Sequence, residues 1–277
     1  MRDSLHIKLE DLRQENLKDL FEIVEKVFSE LEINFYVIGA LARDTWYAKD
    51  ELESRTTRDV DFALYVFSGD QYQRALDQLV EEYQFEAIKN VPFRLRTPFG
   101  YTVDLIPFGE INIDDAVMPN EDWDRPVFVN GFEEVFKKGT VSVEVNDDTL
   151  TYNVATLAAI VLLKLISFDD RPEKRAQDPQ DIADIIKCFF NIESEVIYEH
   201  HNDLFERDME LHEYAAIVIG REINDILVEN EELKKRVLHI LSLKEKTQQK
   251  MAEAMVTKEI TLEQVNRWIT LIKEGIE

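Results

Sequence analysis

Two aspartates separated by one residue are the part of this sequence best suited to chemistry. Asp59 and Asp61 follow a polar, basic segment, Arg55-Thr-Thr-Arg58, and they open an apolar run from Val60 to Phe67. If this run is a β-strand, its period of two places both carboxylates on one face, roughly 7 Å apart. Carboxylate oxygens suit Mg²⁺ and Mn²⁺, so the pair predicts a divalent-cation site; a solvated strand end is the alternative.

A glycine after a short strand supplies the second part of the predicted site. Phe35 to Ile38 reads as a buried strand, Gly39 ends it, and Leu41 to Lys49 reads as a helix. Backbone N–H groups at such a strand-to-helix turn are suited to binding phosphate. We therefore predict that Gly39 and Ala40 hold a phosphate. Arg43, one turn into the helix, is either a further phosphate contact or a surface residue.

A third carboxylate lies within an apolar segment. Asp104 stands inside Tyr101-Thr-Val-Asp-Leu-Ile-Pro107, where an ionised side chain is costly unless it meets a metal ion or another cation. Catalysis of nucleotidyl transfer rests on positioning a triphosphate and neutralising its charge with metal ions. We predict that Asp59, Asp61 and Asp104 hold Mg²⁺, or Mn²⁺, on a nucleoside triphosphate, with Asp104 acting as a metal ligand or as the base.

The elements that must position these residues follow from hydrophobic periodicity. Apolar residues at three-four spacing from Leu17 to Leu31 predict an amphipathic helix, and another helix is predicted after Ser68. Short apolar runs predict strands at residues 85–88, 93–97 and 101–107. This order predicts an α/β fold of the α+β kind, with helices packed on a mixed sheet.

The second half of the sequence predicts mainly helices. Residues 132–145 are expected to form a hairpin, and the first helix is expected from Val154. Asp170-Arg-Pro172 should end that helix, and Thr261 should cap the last one with Gln264 as its partner.

Length and charge narrow the classes of protein. The chain has 277 residues, and we expect two domains: residues 1–147 with the sheet, and residues 148–277, mainly helical, closing a nucleotide cleft. There are 32 Lys and Arg and 57 Asp and Glu, a formal net charge of −25. Such acidity disfavours sequence-independent wrapping of nucleic acid and attracts cations. With one cysteine, Cys188, and no apolar run of membrane-spanning length, we expect a soluble, cytoplasmic protein without disulfides or membrane partners.

These residues resemble a known family. The turn Gly39-Ala40, the segment from Arg55 through Thr57 to Asp61, and Asp104 on a later strand are similar to the motif of the polymerase-β-like nucleotidyltransferase superfamily. Lys164, followed by Asp170-Arg-Pro-Glu-Lys174-Arg175 and by Asp178-x-x-Asp181, resembles the AbiEii-like group, which includes toxins of abortive-infection toxin–antitoxin systems.

The resemblance implies a polymerase-β-like core, and roles for basic residues of the second half. Lys164 and Lys174 would contact the triphosphate as point charges, and Arg175 would grip it with two hydrogen bonds. Asp178 would orient the nucleotide or a basic neighbour. The residues alone leave alternatives open: Lys164 extends to the surface, Lys174 and Arg175 form a charged loop, and Asp178 caps the helix that follows. Arg58 either binds phosphate or pairs with an acidic neighbour.

The resemblance also implies an activity and partners. The enzyme would move a nucleoside monophosphate from a triphosphate to a hydroxyl on RNA, protein or a small molecule such as an aminoglycoside, and an antitoxin protein would be a partner. Residue 40 is Ala, where family members usually carry Ser or Gly. The alternative is therefore a catalytically degenerate nucleotide-binding or protein-interaction module of the same fold.

Overall fold

The computed structural model describes residues 4–8, 12, 16–50, 52, 57–89, 91–112, 116–118, 126–145 and 150–277. The chain forms two compact units. The first unit comprises Met1–Phe136 and Thr140–Ala155, and the second comprises Lys137–Gly139 and Thr156–Glu277. In the part that the structure describes, no helix is both long and apolar enough to span a bilayer. Arg55, which the sequence motif includes, lies outside the described residues.

The strands of the described residues form a large sheet and a small one. They are β1 (Leu5–Ile7), β2 (Asn34–Ile38), β3 (Asp59–Val66), β4 (Glu86–Ala87), β5 (Arg94–Arg96), β6 (Thr102–Gly109), β7 (Ala116–Val117), β8 (Val127–Phe128), β9 (Thr140–Val145) and β10 (Leu150–Ala155). The large sheet has eight strands in the order β1-β9-β10-β2-β3-β6-β5-β4. The pairs β1/β9, β10/β2 and β3/β6 are parallel and the others antiparallel, which confirms the predicted mixed sheet.

Helices accompany the sheet and make up most of the second unit. They are α1 (Leu17–Glu30), α2 (Gly39–Lys49), α3 (Gly69–Tyr83), α4 (Phe132–Lys138), α5 (Leu157–Asp170), α6 (Asp178–Ile192), α7 (Ser194–His200), α8 (Leu211–Leu227), α9 (Glu231–Ile240), α10 (Lys246–Met255) and α11 (Leu262–Ile276). Helices α1 to α3 belong to the first unit, and α5 to α11 belong to the second. The fold is thus a mixed α/β fold, as predicted.

The core of the first unit lies where α1 packs on the sheet. The apolar residues predicted to share one face of α1 are buried, which confirms the amphipathic helix. Phe21 stacks on Tyr152 of β10 with ring centroids 4.2 Å apart, and it meets Phe62 of β3 edge to face at 5.6 Å. Burial of these rings fixes the centre of the sheet, from which β2 and β3 lead to the predicted site.

Helix α2 is anchored by buried hydrogen bonds. Trp46 Nε1 donates to the carbonyl oxygen of Ala155 at 2.9 Å, and the Thr45 hydroxyl donates to the carbonyl of Leu41 at 2.9 Å. Trp46 and Thr45 are both fully buried. Because a buried indole N–H needs an acceptor, this bond ties α2 to β10 and fixes the turn at Gly39, where α2 begins.

Two predictions about the middle of the chain are wrong. Residues 132–145 form helix α4 and then strand β9, instead of a hairpin. Two glutamates lie in the first turn of α4 and two lysines in its last turn, an order that stabilises a helix. The alternating valines of β9 pair with β10 downstream. The second wrong prediction places the start of the first helix of the second half at Val154. Val154 belongs to β10, and α5 begins at Leu157. The Thr156 hydroxyl caps α5 by accepting from the Ala159 N–H at 3.2 Å.

Close contact between two helices organises the second unit. A Cβ atom on Gly220 of α8 would overlap the carbonyl oxygen of Ile272 on α11, and one on Gly275 would overlap the carbonyl oxygen of Ile217. The two glycines therefore let the backbones of α8 and α11 touch. The predicted end of α5 at Asp170 and the predicted capping of α11 by Thr261 are confirmed.

Candidate functional site

Three carboxylates lie on neighbouring strands of the first unit. Asp59 and Asp61 occupy the start of β3, with buried Val60 between them on the other face. Strand β6 runs parallel to β3, and its Asp104 is in register with Asp61. Residues in register on paired strands project from the same face of a sheet. The sheet therefore brings together the three carboxylates that the sequence predicted.

The glycine turn lies directly against this group. Ile38, the last residue of β2, is in register with Asp61, and Gly39 follows with a φ of 69°. A Cβ atom on residue 39 would overlap the Asp61 carboxylate. Only glycine combines this left-handed backbone with so close an approach. The first residues of α2 and the Asp61 carboxylate therefore lie side by side, as a site for a metal-bound phosphate requires.

The third carboxylate is bound by an arginine. Arg94 of β5 is in register with Asp104. Its Nε donates to Asp104 Oδ1 at 2.6 Å, and its Nη2 donates to Oδ2 at 2.7 Å. The hydrogen bonds to Asp104 raise the pKa of Arg94, and the charges of Asp59 and Asp61 add to the effect. The guanidinium is thus the positive partner of the whole carboxylate group.

The donor set suits one divalent cation. Asp59 and Asp61 offer the hard oxygen ligands that Mg²⁺ binds, which usually completes its shell with water and phosphate oxygens. Among the described residues, no group of three or more His, Cys, Asp or Glu side chains is arranged to hold a metal ion. Both carboxylate oxygens of Asp104 accept hydrogen bonds from Arg94. The residues therefore fit a cation on the Asp59–Asp61 pair, with Asp104 engaged elsewhere.

The other predicted phosphate-binding residues of the first unit differ in their surroundings. Ala40 is half-buried in the first turn of α2, whose N-cap position makes no side-chain hydrogen bond. Arg43 donates to Asp44 Oδ1 through Nε at 3.1 Å and through Nη2 at 2.9 Å, so an acidic neighbour already binds its guanidinium. Arg58 is exposed, and its carbonyl accepts from the Thr102 N–H at 2.8 Å, which joins the segment before β3 to β6.

Lys164 of the second unit is bound by two aspartates. Its Nζ donates to Asp178 Oδ1 at 2.9 Å and to Asp181 Oδ2 at 2.6 Å. The Lys164 and Asp178 side chains are only 15% and 8% exposed, so the lysine does not extend freely into solvent. Asp178 is the first residue of α6, and Gln177 occupies the capping position before it. The interpretation of Asp178 as the helix cap is therefore wrong, and its carboxylate joins α6 to α5 instead.

Lys174 and Arg175 lie in the turn between α5 and α6. Their N–H groups both donate to the carbonyl of Arg171, at 3.0 and 3.1 Å, and their side chains are exposed. Neither side chain has a hydrogen bond or ion pair within the described residues. Two unpaired cations on a short, ordered turn are suited to binding an anion.

Sequence reasoning missed Arg94 and Asp181 as members of these groups. Arg94 and Arg96 alternate with apolar residues along the predicted strand 93–97, and that pattern places both arginines on one face of the strand. Asp181 lies three residues after Asp178 and hence on the same side of a helix. Sequence spacing therefore indicates Asp181, whereas the partner of Arg94 depends on the pairing of β5 with β6.

Comparison with known proteins gives one match over most of the chain. The model of a sequence family described as "Nucleotidyl transferase AbiEii toxin, Type IV TA system" matches residues 23–263. No curated protein sequence matches the chain.

Two solved structures are similar to the chain at low identity. One is an antigenic nucleotidyltransferase-like protein from Paracoccidioides brasiliensis, with 15% identity, a TM-score of 0.39, and coverage of 72% of this chain and 93% of that chain. The other is the antibiotic-resistance factor ANT(2'')-Ia, with 12% identity, a TM-score of 0.34, and coverage of 66% of this chain and 96% of that chain.

Proposed function

We propose a specific reaction for this chain, which belongs to the AbiEii family of nucleotidyltransferase toxins. The reaction is transfer of a nucleoside monophosphate from a nucleoside triphosphate to a hydroxyl group, with release of pyrophosphate. It uses Mg²⁺ or Mn²⁺. The observation that supports the proposal is the close approach of the Asp61 carboxylate to Gly39. A carboxylate suited to a divalent cation thus lies beside a turn whose N–H groups are suited to phosphate.

The metal-binding residues in this proposal are Asp59 and Asp61. These two carboxylates would hold a divalent cation, which would supply positive charge against the phosphates of the nucleotide. The two aspartates are fixed by β3, which is paired on both sides, to β2 and to β6. Their separation along the strand is therefore set by backbone geometry and does not depend on a mobile loop.

The phosphate-binding groups of the first unit are main-chain donors. The first N–H groups of α2 have no partner within the helix, and the helix dipole favours negative charge at this end. These donors do not depend on the side chain at position 40. An alanine there keeps them, so Ala40 is compatible with turnover and does not by itself favour the degenerate binding module.

The covalent step is a single displacement. The acceptor hydroxyl oxygen forms a bond to the α-phosphorus as the bond from that phosphorus to the bridging oxygen of the β-phosphate breaks. Pyrophosphate leaves with the electron pair, and the hydroxyl proton passes to solvent. Asp104 is poorly suited to take that proton, because both of its oxygens already accept hydrogen bonds from Arg94.

In the second unit, we propose that Lys174 and Arg175 bind anionic groups of a substrate, since both are exposed cations without a protein partner in the described residues. Lys164 has a different role. Its ammonium is neutralised by Asp178 and Asp181, so it orders the start of α6.

The family match supports a proposal about the cellular effect. We propose that expression of the chain arrests growth and that an antitoxin counteracts it. The acceptor is a hydroxyl on RNA, on a protein or on a small molecule. The net charge of −25 disfavours broad, sequence-independent contact with RNA, so an RNA acceptor would need recognition of a short segment or end.

The test is incubation of the purified chain with each of four α-labelled nucleoside triphosphates and Mg²⁺. RNA, protein and aminoglycoside acceptors are supplied separately. The proposal expects label on one acceptor class, lost in Asp59→Asn and retained in Asp70→Asn, which removes an exposed carboxylate from α3 of the same unit. Binding of the triphosphate without transfer to any acceptor would favour the degenerate module.

A further inference from the structure

Arg94 is a residue that the proposed reaction does not yet use. It lies beside the metal-binding pair and binds Asp104 with two short hydrogen bonds, at 2.6 and 2.7 Å. Such two-pronged pairing of a guanidinium with a carboxylate is the strongest geometry for this kind of ion pair. Asp104 is 8% exposed and the Arg94 side chain is 41% exposed, so the carboxylate is withdrawn from water while the guanidinium is partly exposed.

The position of Arg94 follows from the sheet. Strand β5 pairs antiparallel with β6, and Arg94 is directly in register with Asp104, as Asp61 is on the other side of β6. Arg94 of β5, Asp104 of β6 and Asp61 of β3 therefore lie in one row across three neighbouring strands. This row is fixed by backbone pairing, so the arginine is available before any nucleotide binds.

Charge explains why the arginine is needed. Three carboxylates on neighbouring strands repel one another, and a cation between them relieves that repulsion. A second divalent ion would supply such a charge, but here the guanidinium already holds both oxygens of Asp104. Among the described residues, no group of three carboxylates is positioned to hold a metal ion, which agrees with Asp104 being bound to Arg94.

We propose that Arg94 supplies at Asp104 the positive charge that a second divalent cation would otherwise supply, so the nucleotide-free site binds one cation, at Asp59 and Asp61. This inference rests on the proposed metal-dependent function and assigns a positioning role to Arg94. The Nε–H and one Nη2–H of Arg94 donate to Asp104. The Nη1 edge makes no hydrogen bond in the described part of the chain, and the side chain is 41% exposed. That edge keeps hydrogen-bond donors that a ligand could use.

The experiment is a titration of the nucleotide-free full chain with Mn²⁺, with free Mn²⁺ measured by electron paramagnetic resonance. Physiological salt suppresses diffuse binding to the acidic surface. The chains compared are wild type, Arg94→Ala, Asp104→Asn and the double variant. Arg96→Ala is the matched control, because Arg96 lies on the same strand and the same face but pairs in register with Thr102 and Glu86.

The proposal expects Asp104→Asn to change Mn²⁺ affinity by less than about twofold in wild type, because Asp104 is not a ligand there. In the Arg94→Ala background, the same change should cost about tenfold or remove a second bound ion, because Asp104 is then free to bind metal. Arg96→Ala should match wild type. Equal effects of Asp104→Asn in both backgrounds would overturn the proposal.

Two further measurements keep the result interpretable. Asp61→Asn should abolish Mn²⁺ binding at the site in every background. If Asp61→Asn leaves Mn²⁺ binding unchanged, the proposed metal-dependent function fails, whatever the role of Arg94 is. Arg94→Gln replaces Arg94→Ala if the alanine variant does not fold, as judged by circular dichroism. An Arg94→Gln chain that gains no Asp104-dependent Mn²⁺ binding would contradict the proposal equally.

Discussion

The carboxylate of Asp61 occupies the space that a side chain on residue 39 would need. Gly39 has a φ of 69°, so glycine is required there for both conformation and space. This contact joins the end of β2 to the start of β3, and it brings together the turn that we propose binds phosphate and the aspartate pair that we propose binds the cation.

Gly39→Ala should therefore damage the site more than the fold. The methyl group would push the Asp61 carboxylate aside, and the left-handed backbone would cost about 1–3 kcal/mol of stability. We expect Mn²⁺ binding and label transfer to fall at least tenfold, by about 1.4 kcal/mol or more. Gly69→Ala is the control, because a Cβ atom there meets no atom within 4 Å. A Gly39→Ala enzyme as active as the Gly69→Ala enzyme would show that the contact is unimportant.

Lys164→Met should destabilise the second unit. Removing the ammonium leaves Asp178 and Asp181 close together without their cation, and loss of one partner of a mostly buried ion pair costs about 3 kcal/mol. Urea unfolding measures the effect. Lys187→Met, which removes an exposed ion pair between α6 and Glu259, should cost less than about 0.5 kcal/mol. The triple variant Lys164→Met/Asp178→Asn/Asp181→Asn should recover part of the loss; no recovery would mean that the cost has another origin.

Gly220→Ala should be among the most destabilising small substitutions in the second unit. The added methyl would overlap the Ile272 carbonyl oxygen and approach Gly275 Cα to 2.9 Å, so α8 and α11 would have to separate. Overpacking of this kind costs about 3 kcal/mol. Thermal unfolding measures it, with Thr270→Ala on the exposed side of α11 as the control. Equal melting temperatures for the two variants would contradict the close helix contact.

Alkaline pH should weaken the first unit through Tyr152. Burial raises the pKa of Tyr152 to about 12, with the hydrogen bond to Thr45 acting in the opposite direction. In the unfolded chain the pKa is about 10, so the folded state binds the proton more tightly, and stability falls as pH rises from about 10 to about 12. The slope for this group is at most about 1.4 kcal/mol per pH unit.

Tyr152→Phe should remove that part of the slope. Urea unfolding between pH 9 and pH 11.5 measures it, and Tyr198→Phe serves as the control because Tyr198 is 58% exposed. A slope unchanged by Tyr152→Phe would show that the phenol does not contribute to alkaline unfolding.

The sequence predicts those parts of the site that depend on local spacing. The i, i+2 aspartates, the glycine after a short strand and the aspartate in an apolar run are visible because strand period and burial cost act on neighbouring residues. The amphipathic α1 is visible for the same reason.

The rest of the site depends on pairing between distant strands. The register of Asp61 with Asp104, and of Asp104 with Arg94, is fixed by the order β3-β6-β5, which no single segment encodes. The wrong hairpin at 132–145 has the same origin. The valines of β9 fit a strand whatever its partner is, and the partner is β10, which follows β9 in the chain.

The decisive experiment compares α-labelled and γ-labelled triphosphate as donors, with Mg²⁺ and a cell extract as the source of acceptors. Wild type should transfer label from the α position and none from the γ position, with pyrophosphate released in equal amount. Asp61→Asn should reduce this transfer by at least about a hundredfold, because the phosphates lose their metal. Transfer of γ-label, or α-label transfer undiminished in Asp61→Asn, would contradict the claim that Asp59 and Asp61 serve nucleotidyl transfer.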